Sequence, residues 1–148
     1  MEEERGHEKW ILDDIRALGG NADAVRDGGP GMACRIMVGY SYYAIEHVSP
    51  YAMLGSVHVL EGLSVAFADR LADVVKDSLG VSEDVGFSYL RSHGSLDQEH
   101  VAFFRTLVDG FDQPETQRII IEHSKIFYRL YGGIFRDLGA SAELRNAA

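Results

Sequence analysis

The stretch Arg91-Ser92-His93-Gly94-Ser95-Leu96-Asp97-Gln98-Glu99-His100 limits the fold more than any other part of the chain. His93, Asp97 and His100 stand at i, i+4 and i+7, which on a helix puts them within roughly 60° of one another. The stripe is apolar on either side, with Leu90 before it and Phe104 and Leu107 after it. Three metal-ligating side chains thus occupy an otherwise core-facing seam. Other helices must present groups that satisfy them.

The rest of the chain also reads as helix. Residues 2–18 carry Trp10, Ile11, Ile15 and Leu18 at helical spacing, and Gly19-Gly20 ends the pattern. Residues 21–31 read as a loop, because Asp27-Gly28-Gly29-Pro30-Gly31 is rich in turn formers. A tyrosine-rich helix is predicted over 32–48, and Ser49-Pro50 breaks it. The next pattern runs from Pro50 to Leu79 and stops at Gly80. Ser82, followed by Glu83 and Asp84, predicts the N-cap of a helix that reaches Val108. Pro114 opens a last helix, which Gly139 is expected to end, leaving 140–148 as a frayed tail. No segment alternates as a strand does. The expectation is one all-α domain over 1–148, with about five helices.

Composition narrows the function classes. A chain of 148 residues, 46% hydrophobic and 25% charged, can build one real core. A net charge of −9 argues against a nucleic-acid backbone as partner. The single cysteine, Cys34, has no internal disulfide partner, which suits a reducing, cytoplasmic setting. Met1-Glu2-Glu3-Glu4-Arg5 is acidic and has no apolar h-region, so no signal peptide is read there. The apolar run from Tyr51 to Ala68 holds His58 and Glu61 near its middle and reads as a buried helix, not a membrane span.

Two further places offer ligands. Glu61 is the one acid in that run and shares a stripe with Leu54, Val57, Val65 and Ala68. Left unpaired there, it would cost several kcal/mol or take up a proton, which a metal or a basic partner avoids. Glu4-x-x-His7 repeats the carboxylate-x-x-histidine spacing of Asp97-x-x-His100, a pattern that di-iron bundles use. A plain surface contact is the competing reading of Glu4 and His7. Together Glu4, His7, Glu61, His93, Asp97 and His100 form a mixed nitrogen and oxygen set from three helices. Such a set suits non-haem iron or manganese, and zinc accepts the same donors. Tyr40, Tyr43, His58 and His123 are expected to line a pocket or to pack in the core. Cys34 has no neighbouring acid or histidine in sequence to activate it.

The spacing of these residues resembles the haem-oxygenase-like non-haem iron oxidases and oxygenases, relatives of the TenA and PqqC proteins. The shared features are His-x-x-x-Asp-x-x-His late in the chain, a lone Glu 32 residues earlier, and Glu-x-x-His with its His 54 residues before that Glu. The resemblance runs from Glu4 to about Leu138. It implies a helical bundle with two irons. Glu4, His7 and His93 would serve the first iron, and Glu61, Asp97 and His100 the second. It also implies O2 as co-substrate and a small amine, amino acid or fatty acid as substrate. Relatives carry helices upstream of the Glu-x-x-His helix, whereas Met1 stands three residues before Glu4. The chain is therefore expected to be a shortened member, or to complete that wall as a homodimer. A TenA-like thiamin hydrolase that uses Cys34 and a non-catalytic metal-binding scaffold are the alternatives.

Overall fold

The structure, a computed structural model, describes residues 5–82 and 85–146; 94–98 and 140–146 are described for their backbone only. Six helices are present among the described residues: α1 His7–Ala17, α2 Ala22–Asp27, α3 Met32–His47, α4 Ala52–Leu79, α5 Ser88–Asp109 and α6 Pro114–Asn146. No described helix is long and apolar enough to cross a membrane.

The glycine stops at the ends of α1 and α4 close as expected. Gly19 takes φ +79 and Gly80 takes φ +65, the left-handed region that side chains avoid. Gly20 N–H then donates to Ile15 O, and Val81 N–H to Lys76 O, so each end closes by the six-to-one bond of a Schellman turn.

Three boundaries differ from expectation. The 21–31 segment is not all loop: Asn21 caps α2 by accepting from Ala24 N–H at 2.9 Å. Helix α5 begins at Ser88 and not after Ser82, because Gly86 at φ +91 turns the chain and a distant residue caps the helix. Gly139 does not stop α6, which continues to Asn146. A glycine ends a helix only where the chain leaves it in the left-handed region, and among the described residues Gly139 is not one that does.

The chain divides into two compact units. One comprises Met1–Gly29 and Glu61–Ala102, and the other Pro30–Leu60 and Phe103–Ala148, so α4 and α5 each contribute to both. In the first unit α1 packs on α2, with Ala22, Ala68, Ala72 and Phe87 buried. The inner face of α1 carries His7, Trp10, Asp14, Ile15 and Leu18, while Ile11, which shares the helical spacing of Trp10, Ile15 and Leu18, is 37% exposed. In the second unit α3 packs along α6, and the first turns of α4 join them. A Cβ on Gly55 would lie 2.6 Å from Ser124 N and 2.8 Å from His123 C, so the two backbones meet where there is no side chain. Phe127, Ile120, Val59 and the cluster of Ala44, Ala52 and Ile119 form the core of this unit.

Candidate metal centre

His93 is the best-defined member of the site. Its ring is buried, and its Nδ1 lies 2.8 Å from the carbonyl oxygen of Tyr89, one turn back on α5. A carbonyl only accepts, so the proton sits on Nδ1 and the lone pair on Nε2. Nε2 in turn lies 3.2 Å from Nδ1 of His7 on α1. The two rings meet edge to face at 4.9 Å. Trp10 stacks on His7 at 4.1 Å, and the Tyr89 ring lies against His93 at 4.1 Å. These four aromatic side chains come from two helices, α1 and α5.

The second pair lies seven residues further along α5. Nδ1 of His100 stands 3.3 Å from Oε2 of Glu61 on α4, with about a quarter of each side chain exposed. Glu61 is therefore less buried than the apolar run suggests, and Val65 on its stripe is 38% exposed. Arg91 secures α5 to α4 in the same unit, reaching Asp69 at 3.2 Å and Asp73 at 2.6 Å.

These residues fit a cation. Two donor atoms bound at about 2.1 Å each, near a right angle, lie about 3.0 Å apart, close to both separations. His93 is held in the tautomer a metal needs, by the kind of backbone contact that orients ligating histidines. Among the described residues no group of three or more His, Cys, Asp or Glu side chains converges on one point. Glu4 and the side chain of Asp97, the third member expected at each pair, lie outside the described residues.

Of the four residues read as pocket or core, Tyr40 has the Tyr43 ring 6.3 Å away and the His123 ring 6.0 Å away. Tyr40 stacks on His123 at 6.0 Å and meets Phe127 edge-on, so these are packing residues of the second unit. His123 is buried, with Nδ1 donating to Ile119 O at 2.8 Å. Burial, aided by Glu122 and Tyr43, raises the Tyr40 phenol above its ordinary value. Tyr43 is 54% exposed. His58 is exposed, stacks on Phe104, and lines a shallow hollow with Ser124, Lys125 and Arg129. Cys34 lies half-buried on α3.

Sequence reasoning missed Trp10, Asp14 and Tyr89. The signal was present: Trp10 and Asp14 stand three and seven residues after His7, and Tyr89 four before His93, all on the ligand faces.

A family model described as iron-containing redox enzyme matches residues 1–132 of the chain. Comparison with curated proteins gives no match, and neither does comparison with solved structures. The helical architecture is that of the same family. With the match covering 132 of 148 residues, the chain belongs to the haem-oxygenase-like, iron-containing redox enzymes.

Proposed function

We propose that this protein is an O2-dependent oxidase or oxygenase that acts on a small organic substrate through two irons. The observation that carries the reading is the pair of juxtapositions along α5, His7 with His93 and Glu61 with His100, each with donor atoms 3.2–3.3 Å apart. His7 and His93, joined by Glu4, would hold one iron; Glu61 and His100, joined by Asp97, would hold the other. Ferrous iron bound there supplies the electrons that O2 requires.

The chain's own groups do the rest. The Tyr89 carbonyl keeps the His93 proton on Nδ1, so Nε2 stays a neutral donor. Trp10 stacks on the His7 ring and Tyr89 lies against the His93 ring, which holds the two imidazole planes in place. Glu61 brings negative charge to the second pair and offsets a cation there. An amine, an amino acid or a fatty acid is the substrate class, and the enzyme works as a homodimer.

Elemental analysis of protein loaded anaerobically with ferrous iron tests this. Two irons per chain are expected, with O2 uptake stimulated by one member of an amine, amino-acid and fatty-acid panel. Iron that binds without any O2 uptake would favour a scaffold, and no iron retention would end the reading.

A further inference from the structure

The contact between α1 and the start of α5 is made by one carboxylate. Asp14 Oδ1 accepts from Ser88 N–H at 3.0 Å and from the Ser88 hydroxyl at 2.8 Å, and Oδ2 accepts from Tyr89 N–H at 2.8 Å. Free donors in the first turn of a helix draw an anion, and the helix dipole adds to the attraction. Usually the capping residue is the chain neighbour; here it comes from 74 residues upstream. The turn before α5 is shaped for this approach. A Cβ on Gly86 would lie 2.5 Å from Leu18 Cγ and 3.1 Å from Asp14 O, so α1 occupies that space.

Asp14 stands seven residues after His7, two turns along the same face of α1. Tyr89, which it holds, is the residue whose carbonyl fixes His93. Among the described residues, α1 therefore meets α5 at two levels, Asp14 on Ser88 and Tyr89, and His7 with Trp10 on His93. One contact between two helices leaves them free to slide or rotate; two contacts, two turns apart, set the register.

We propose that Asp14 is a positioning residue that sets the register of α1 on α5 and so brings His7 to His93. The proposal rests on the metal reading for its consequence, but the register itself does not require metal. Ser88 is exposed, so water can replace the carboxylate at its donors. Loss of Asp14 then releases α1 from α5 while leaving the helices formed.

Imidazole NMR resonances of His7, His93 and His100, followed through a zinc titration, provide the test. In Asp14→Ala the zinc concentration that shifts His7 and His93 should rise at least about tenfold, the usual effect of losing an outer support, while His100 stays within about twofold. Asp14→Asn, with one acceptor oxygen left, should fall between, and carries the same comparison if the alanine variant does not fold. An unchanged response of His7 and His93 overturns the proposal. So does an equal loss at all three rings, which would make Asp14 a general support of the unit. If no ring responds to zinc in the unsubstituted protein, the metal reading falls. The register is then decided by ring-proton NOEs between His7 and His93: lost in Asp14→Ala if Asp14 sets it, retained if it does not.

Discussion

Each of the two units is closed internally by its own kind of contact. The Pro30–Leu60 and Phe103–Ala148 unit closes by apolar packing: Phe127 at 1% exposure, an alanine-lined contact, and a glycine where α4 meets α6. The Met1–Gly29 and Glu61–Ala102 unit closes largely through directed contacts: Asp14 on the start of α5, Arg91 on two aspartates, His7 on His93, and Glu61 on His100. Packing sets shape but tolerates small slides, whereas a hydrogen bond fixes an atom to within a few tenths of an ångström. The unit with the candidate ligands has the contacts that position atoms. The other unit packs around Phe127.

That contrast can be broken by substitution, beginning with the largest effect. Phe127→Ala should cost about 3–5 kcal/mol, the range for emptying a buried aromatic site, while the folded fraction keeps its full iron content. Urea unfolding with iron analysis checks both, and a cost below about 1 kcal/mol would mean that packing does not hold this unit. Gly55→Ala should cost about 1–3 kcal/mol by overpacking, since its Cβ meets backbone atoms of Ser124 and His123 that cannot rotate away. A melting temperature equal to the unsubstituted protein's would show that α4 and α6 move apart easily.

Substitution in the directed unit should change binding more than stability. Glu61→Leu removes the partner of His100, but both side chains are partly solvated, so stability should stay within about 1 kcal/mol. Under the proposed two-iron reading, iron should fall from two per chain to one. Two irons retained in that variant would remove Glu61 from the second site.

The smallest effect is a pH dependence in the packed unit. The native Tyr40 phenol holds its proton above the ordinary value of 10.0, chiefly through burial. A raised native value contributes stability that is complete below the unfolded value and is lost as pH rises through the native one. Tyr40→Phe should therefore flatten the alkaline end of the stability profile, measured by urea unfolding between about pH 8 and 11. Part of the slope should remain, because Tyr131 is raised by burial too. An unchanged slope would assign it all to other groups.

Much of this architecture was legible because local rules decide it. Gly19, Gly80 and Pro114 mark helix ends by backbone chemistry alone, and each works that way here. The histidines and Glu61 were legible as polar interruptions of apolar stripes, a pattern that requires partners wherever the helices meet. What failed did so for nonlocal reasons. Ser82 looked like a cap, but the donors of α5 go to Asp14, which sequence distance hides. For Tyr40 and His123 the sequence left pocket and core both open, and the contact between their rings belongs to the packing reading.

By itself the sequence determined an all-helical chain and the residues to be paired, because helical period and side-chain chemistry are properties of short stretches. The family resemblance already implied His7 beside His93 and Glu61 beside His100; only the tertiary structure decided which atoms meet, and that His93 presents Nε2. It also decided that a carboxylate on α1 starts a helix 74 residues later. Those outcomes depend on the register between helices, and no single helix carries that information.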